Sequence, residues 1–458
     1  MIKELVTQDM HYLNENIQTI NNEWKINEIP VKRYSLLKRL IRKLTYWLYK
    51  PMWDQQVKFN QSVAAAICDI YRIQSKILEC LDREGYVYEN ECCVLEKNDK
   101  PRIIQLVSSL NYGDAVGNEV IAFKKLLRES GYVTEIFADT IHKRVPADAA
   151  RNFKYMPELD ENDIVIYHFS SQCGMFEMVK KLKCRIILRY HNITPPHFFH
   201  DYDRNAEKAT SIGLEQVAQL KDYVDYCLPV SEFNKQDLID MGYTCPMQII
   251  PILIRFSDYE QRPCSKVIEK YSDDKTNILF VGRMAPNKKV EDVISCFAEY
   301  KNTYDGNARL FLVGSFNEDD KYYQMLCRHI KSIGVKDVIF PGHIMFDEIL
   351  AYYTIADVFL CMSEHEGFCV PLVEAMYFHI PIIAYASTAV PSTLGGCGVL
   401  LENKKVVEFA KVMHKIVSDA SFAYNIVAKQ NKRLNGLSNE IVSERLISCI
   451  EELILPRS

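Results

Sequence analysis

The chain has 458 residues, 48% hydrophobic and 25% charged, with 55 Lys and Arg against 60 Asp and Glu for a formal charge of −5. That balance belongs to a globular protein able to bury several cores, as a soft prior about three domains, and excludes a wholly disordered or collagen-like chain. No global basic excess points to nucleic acid as a partner.

The 15 cysteines form no C-x-x-C pair, and Cys92-Cys93 is the one adjacent couple. Zinc ligands come paired at short spacing, so no structural zinc is expected. Met1-Ile2-Lys3-Glu4-Leu5 is followed by no apolar stretch, and no run of about 18 apolar residues occurs, so neither a secretory signal nor a spanning helix is expected. Reduced thiols filling cores in a cytoplasmic protein are the expectation.

Residues 1–98 read as a helical extension. Between Pro30 and Pro51 stand seven basic residues and no acidic one. Leu36, Leu37, Leu40, Ile41, Leu44, Trp47 and Leu48 share one helical face, with Arg33, Lys38, Arg39, Arg42 and Lys43 opposite. With Trp47, Tyr49 and Trp53 at one end, residues 30–53 have the profile of an interfacial helix. Each basic residue near an anionic surface is worth about 1 kcal/mol. Peripheral attachment to the inner face of the plasma membrane is one expectation; docking on the helix Asn60 to Leu81, or self-association through these helices, is the other. The polar, acidic stretch Glu84 to Lys100 reads as a linker.

From Pro101 the apolar period changes. Arg102–Val107, Asp163–His168, Arg185–Tyr190 and Asp225–Val230 have strand length, with amphipathic stretches such as Asn118–Arg128 and Gln216–Tyr223 between several of them. A polar stretch around Ile254 to Lys275 reads as a hinge. A second series comes after it: strands Asn277–Val281, Arg309–Val313, Val338–Phe340, Asp357–Cys361 and Pro381–Tyr385, and helices Lys405–Val417 and Ile441–Leu455. Such alternation predicts two doubly wound α/β units facing each other, with ligands beyond the carboxyl ends of the strands.

The most informative stretch runs from Ser363 to Met376, SEHEGFCVPLVEAM. Pro371 suits a first helical turn, so Gly367, Phe368, Cys369 and Val370 form a loop whose amides lie at a helix N-terminus, a place for negative charge. Glu366 in that loop and Glu374 one turn later can accept hydrogen bonds from sugar and ribose hydroxyls. An acidic turn that caps its own helix is the plainer alternative.

This segment resembles the Glu-x7-Glu signature of retaining glycosyltransferases of family 4, which have the two-domain GT-B fold. The resemblance implies that Glu366 contacts the transferred sugar, that the amides of Gly367 to Val370 hold sugar and phosphate, and that Glu374 binds the ribose. Gly282-Arg283-Met284-Ala285-Pro286-Asn287-Lys288-Lys289 is similar to the family's Gly-Arg-x4-Lys-Gly turn, where Arg283 and Lys288 would bind the nucleotide diphosphate. Fixed cations aimed at charge developing on a leaving group are strong catalysts; a solvated basic turn is the alternative. Lys289 stands where the family has glycine, so a different backbone is expected there, and Pro391-Ser392 stands where the family has Pro-Glu.

Gly314 and Ile344, in Leu312-Val313-Gly314-Ser315 and Phe340-Pro341-Gly342-His343-Ile344, resemble strand ends lining the nucleotide pocket, although such glycines also serve tight turns. Gly113, in the Gly-x3-Gly of Ser108 to Asn118, resembles the family's flexible donor loop, or is a plain strand–helix turn. His191 follows a strand where the family places a histidine beside the transferred sugar; a structural hydrogen-bonder is the alternative. Ser231 resembles a strand-end serine near the cleft. Asp201-Tyr202-Asp203 spells the D-x-D that binds metal in another glycosyltransferase fold and reads here as a surface coincidence.

The resemblance covers about residues 101–455. The expectation is an α/β GT-B protein: a helical extension (1–98), an acceptor domain (99–255), a nucleotide-sugar domain (256–435) and a C-terminal helix (436–458) free to cross back to the first domain. The expected activity is retaining transfer of a hexose-type sugar from a UDP- or GDP-sugar to a saccharide or lipid-linked acceptor, with Glu366 and His191 at the reacting centre and no metal or other cofactor. A catalytically silent GT-B scaffold is the rival. A Rossmann oxidoreductase lacks its G-x-G-x-x-G here.

Overall fold

The structure is a computed structural model that describes Leu95 and residues 99–454 apart from Tyr112 and His343. The chain divides into Met1–Glu91 and Cys92–Ser458, and the described residues all belong to the second part. The basic helix at 30–53, the helix Asn60 to Leu81 and the Glu84–Lys100 linker up to Asn98 lie outside the described residues, Leu95 excepted.

The first α/β half holds β1 (Ile103–Leu110), α1 (Ala115–Glu129), β2 (Thr134–Ile141), β3 (Arg151–Asn152), β4 (Ile164–Phe169), α2 (Phe176–Val179), β5 (Arg185–Tyr190), α3 (Arg204–Gln219), β6 (Tyr226–Pro229) and α4 (Glu232–Asp240). Its strands are parallel, in the order β3-β2-β1-β4-β5-β6. β1, β4, β5 and β6 are buried on both faces, which is why they read as near-continuous apolar runs. Ile104, Leu106, Val165, Tyr167, Ile186 and Leu188 face one core with Val179, Val217 and Leu238 of α2, α3 and α4. Ile103, Ile164, Ile166 and Ile187 face the other with Phe123 and Leu127 of α1.

The second half holds α5 (Ser265–Lys270), β7 (Asn277–Val281), α6 (Val290–Thr303), β8 (Arg309–Val313), α7 (Lys321–Ile333), β9 (Val338–Ile339), α8 (Phe346–Ile355), β10 (Val358–Cys361), α9 (Val370–Tyr377), β11 (Ile382–Tyr385), α10 (Val390–Leu394), β12 (Val399–Leu401), α11 (Val406–Ser418) and α12 (Ala420–Asn435). Its parallel sheet runs β12-β11-β10-β7-β8-β9. The last described helix, α13 (Asn439–Ile454), leaves this half: Val442, Leu446, Cys449 and Ile450 pack in the core beneath Ile103 and Phe123 of the first.

Three strands escape the sequence reading, β2, β3 and β12. β2 carries Glu135 and Asp139 within its run, and the buried Glu135 is tolerated because Lys124 of α1 pairs with it. β3 has two residues and β12 three, too short for a period. Gln216–Tyr223 turns out to be the end of the longer α3 followed by a 3-10 turn, Leu220–Asp222. The polar stretch at 254–275 is built into the second half rather than forming a bare linker. Arg309 of β8 donates to the Tyr271 carbonyl and to Asp273, and Tyr259 donates to Glu374. Its few aromatic residues do the anchoring, and a polar average hides them.

One buried polar group in the first half fixes the loop beneath the site. Arg189 of β5 and Glu119 of α1 have fully buried side chains. Nε and Nη2 reach the two carboxylate oxygens at 3.1 and 2.6 Å, and the remaining donors reach the carbonyls of Leu228, Ile250 and Pro251. All five guanidinium donors are thereby used, the condition under which a buried ion pair is tolerable.

Candidate active site

A doubly wound sheet opens a crevice where its strand order reverses. In the second half the reversal lies between β7 and β10, and the loops leaving those two strands carry Arg283, Lys288 and Glu366. Lys288 Nζ lies 2.7 Å from both oxygens of Glu366, with side-chain exposures of 18% and 7%. The two loops are laced further: the Glu364 amide donates to the Asn287 carbonyl at 2.9 Å, and Asn287 Nδ2 donates to the His365 carbonyl at 3.0 Å. Thr388 Oγ1 accepts the amide of Glu366 at 2.9 Å.

Charge is shared across this group. Burial pulls the Lys288 ammonium down, but its anionic surroundings, the Glu366 carboxylate foremost, outweigh that, and its pKa ends above the ordinary lysine value. Arg283, which is exposed, pulls against that rise, so the two cations sense each other. Arg283 also acts on Asp114 in the turn before α1 of the first half, where burial raises the carboxyl above its usual range. Asp114 is the N-cap of α1, accepting the Gly117 amide at 2.6 Å, and Gly113 (φ 78°) opens the same turn. The glycine turn of the first half therefore stands near Arg283.

Two glycines are required by close approach. A Cβ on Gly314, just after β8, would lie 1.9 Å from the Gly282 carbonyl oxygen, and one on Gly367 would lie 2.3 Å from the His191 carbonyl oxygen. The second contact presses the Glu366 loop of one half against the β5 loop of the other. Beside it His365 Nε2 is 2.5 Å from Asn192 Oδ1. After Gly367, Phe368 is buried with its carbonyl accepting from Thr393, and Cys369 takes a left-handed conformation (φ 71°) that starts α9 at Val370. Lys289 also sits at φ 50°. It occupies the left-handed region that glycine favours, so the turn keeps a glycine-like backbone despite the substitution.

Glu374 has different partners from Glu366. Tyr353 and Tyr259 donate to its two oxygens at 2.6 and 2.9 Å, and burial raises its carboxyl above the usual range. The two glutamates of the motif are thus separately engaged, one by a cation and one by phenols. Ile344 packs at the edge of the core that holds Phe311, Tyr352 and Leu372.

His191 lies just past β5, buried, with Nε2 3.2 Å from His168 Nδ1 and 3.5 Å from Glu119 Oε2. Its Nδ1 is buried with no hydrogen-bond partner. Burial lowers the pKa of both imidazoles well below the ordinary value, helped at His191 by the Arg189 charge. Ser231 caps α4 by accepting the Asn234 amide at 3.2 Å. Asp203 of the D-x-D caps α3, taking the amides of Asn205 and Ala206.

Two clusters bring three metal-ligating atoms within 4.8 Å of one another, Glu119–His168–His191 and Cys361–Glu366–Cys369. In each the carboxylate is already held by a cation, Arg189 or Lys288, whose charge repels a divalent ion. Eight of the eleven described cysteines are buried, and none forms a disulfide. Among the described residues, no helix is long and apolar enough to cross a membrane.

The sequence reading missed Asn287, Thr388, Asn192, His168 and Gln105. Asn287 sits inside a motif already noted. The others are single polar residues in or after apolar strands; burial singles out Asn192, His168 and Gln105, and Thr388 is marked only by its bond to the Glu366 amide.

Residues 263–433 match the family described as Glycosyl transferases group 1. The chain is 24% identical over 276 residues to the O-antigen chain mannosyltransferase B of Escherichia coli, a match covering 58% of this chain and 66% of that protein. It is 25% identical over 171 residues to the serotype-specific mannosyltransferase WbdA of E. coli, covering 36% of this chain and 20% of that one. The chain thus spans less than two thirds of the length of either relative. Among solved structures, Anabaena HepE in complex with UDP and glucose is similar at a TM-score of 0.58 and 16% identity, over 77% of this chain and 100% of that one. Two doubly wound halves meeting at the carboxyl ends of their strands, together with this likeness, give the chain the two-domain GT-B fold.

Proposed function

We propose that the protein is a retaining glycosyltransferase that moves a hexose-type sugar from a nucleotide-diphosphate sugar to a hydroxyl on a growing or lipid-linked surface polysaccharide. The observation that carries this reading is the Lys288–Glu366 pair at the β7/β10 crevice with Arg283 nearby. Breaking the bond between sugar and diphosphate leaves negative charge on the departing phosphate. Lys288, held by Glu366, and the exposed Arg283 near it are the cations that meet that charge in this reading, which needs no metal. Glu366 holds Lys288 in place and is the carboxylate nearest to accept a sugar hydroxyl. Glu374, His191, Gly113, Gly314, Ile344 and the amides from Gly367 to Val370 complete the donor site in this reading. The acceptor hydroxyl attacks from the face the phosphate leaves, and the phosphate takes its proton.

The relatives named as O-antigen and serotype-specific mannosyltransferases support a surface polysaccharide as acceptor and mannose as the first sugar to test. HepE, solved with UDP and glucose, supports a nucleotide-sugar donor. Attachment to an anionic membrane surface through residues 30–53 of the cytoplasmic protein belongs to the same proposal. The deciding experiment offers UDP- and GDP-hexoses with oligosaccharide acceptors and identifies products by mass spectrometry. Transfer with the anomeric configuration of the donor kept supports the reading. Inversion, or no transfer and no donor hydrolysis from any sugar of the panel, overturns it.

A further inference from the structure

The row of buried polar side chains behind His191 is not used by the mechanism above, and its hydrogen bonds have a direction. Gln105 of β1, His168 of β4 and Arg189 of β5 lie on the sheet face covered by α1, with His168 beside Val107 and Arg189 in register. Gln105 and His168 are fully buried.

The Gln105 amide fits its surroundings in one orientation. Its nitrogen is 3.2 Å from the Val120 carbonyl and 3.0 Å from His168 Nε2, and its oxygen is 3.1 Å from the Lys124 amide. A carbonyl only accepts and an amide N–H only donates, so α1 sets the amide, and the Gln105 nitrogen donates to His168 Nε2. A neutral imidazole carries one proton. His168 therefore holds its proton on Nδ1, 3.2 Å from His191 Nε2, and donates there. His191 Nε2 is then the acceptor, and the proton of His191 stands on Nδ1, the buried nitrogen without a partner. The opposite tautomer would set two N–H groups head to head between the rings. Neutrality of both rings follows from their burial, which lowers both pKa values. Glu119 Oε2, at 3.5 Å from His191 Nε2, lies beyond ordinary N–H···O distance and makes no hydrogen bond with it.

We propose that Gln105 and His168 are positioning residues that fix His191 as an Nδ1–H donor, so that it gives a hydrogen bond to an oxygen of the bound sugar donor and does not act as a base. The inference rests on the nucleotide-sugar reading above for its ligand, but the tautomer itself does not. His191 stands beside the Glu366 loop, its backbone carbonyl 2.3 Å from the Cβ position of Gly367, and its Nδ1 is the ring nitrogen left without a protein partner. The proton is placed from the partners, which makes it open to direct measurement.

The test uses the full chain labelled with 15N-histidine, the two rings being assigned from His191→Asn and Gln105→Met spectra. Long-range 1H–15N spectra are expected to show both His168 and His191 as Nδ1–H tautomers, unchanged between pH 6 and 8. In folded Gln105→Met the director is gone, so His191 should become a mixture of tautomers, with kcat lowered about tenfold and the KM for the sugar donor little changed. Asparagine places an amide N–H near the Nδ1 position, so His191→Asn should keep most of the turnover that His191→Leu loses. An Nε2–H tautomer on His191 of the unmodified chain overturns the proposal, and so does an unchanged tautomer in Gln105→Met. A chain that shows the expected tautomers but transfers no sugar overturns the functional reading instead.

Discussion

Asn192 and His365 join the two α/β halves through a 2.5 Å hydrogen bond, Asn192 standing after β5 of the first sheet and His365 after β10 of the second. Asn192 Nδ2 donates in turn to Asn234 Oδ1 at 3.0 Å on α4. Asn192 thus uses its amide nitrogen within its own half and its oxygen across the junction, and His365 must supply a proton from Nε2. Glu366 is the next residue along, so the bond that closes the halves also sets the loop that carries the candidate chemistry.

The burial of His365 makes stability depend on pH. Burial lowers the His365 pKa to about 4, against about 6.5 in an unfolded chain. Between these values the unfolded chain binds a proton that the folded chain does not. Stability therefore falls as the pH falls from about 6.5 towards 4 and is fully present above that window. The shift is worth about 3 kcal/mol. His168 and His191 are shifted in the same direction. Thermal melts should show a Tm that drops below pH 6.5, and His365→Gln, which keeps a donor but does not titrate, should flatten part of the slope. An equal slope in that variant would remove His365 as a cause.

Lys288 and Glu366 separate stability from activity. Lys288→Met leaves a nearly buried carboxylate without its cation and should destabilise the fold by about 3 kcal/mol. Removing a charge-stabilising donor at a reacting centre also lowers kcat by about 100-fold or more. In the double variant Lys288→Met with Glu366→Gln no charge is left stranded, so Tm should recover most of its loss while transfer stays as low as in Lys288→Met. Recovery of turnover along with Tm would make the pair purely structural.

These contrasts show what the sequence makes legible. Strands such as Arg185–Tyr190 and Asn277–Val281 can be read to the residue because parallel strands buried on both faces carry unbroken apolar runs. Glu366, Arg283 and Lys288 can be read because they sit in short motifs just past the strands β7 and β10, where local spacing is visible in the sequence. The partners of Glu374 are not legible: Tyr259 lies 115 residues away and its segment reads as polar linker. The His168–His191 contact spans 23 residues and the link to Gln105 spans 63. A buried polar residue in a strand looks like a flaw in the pattern until the tertiary structure supplies its neighbour.

Lys289 is strained by its backbone. At φ 50° and ψ 50° it holds a conformation that costs a residue with a Cβ about 1–2 kcal/mol. Its ion pairs with Glu364 at 3.5 Å and Glu291 at 3.7 Å are partly exposed and return a few tenths of that. Glycine at this position adds entropy to the unfolded chain, which offsets part of the gain, but it relieves the strain. Lys289→Gly should therefore raise stability by about 0.5–1 kcal/mol, and Lys289→Val, branched at Cβ, should lower it. A melt in which the glycine variant is the less stable would mean that the lysine side chain outweighs the backbone.

Gly367→Ala tests whether the contact between the halves is tight. The added carbon would lie 2.3 Å from the His191 carbonyl oxygen and 2.9 Å from Asn192 Cβ. The first is a backbone atom at the end of a buried strand and cannot swing aside, so relief must come from parting the two loops. Parting them lengthens the Asn192–His365 bond and shifts Glu366 relative to Lys288 and His191. Overpacking of this kind costs about 1–3 kcal/mol, and a displacement of about 1 Å at a reacting centre lowers turnover about 100-fold. Gly367→Ala should thus lose several degrees in Tm and most of its transfer activity, while Gly306→Ala, whose added carbon meets nothing within 4 Å, keeps both. Full activity in Gly367→Ala would show that the halves part without cost, and that the close approach does not order the site.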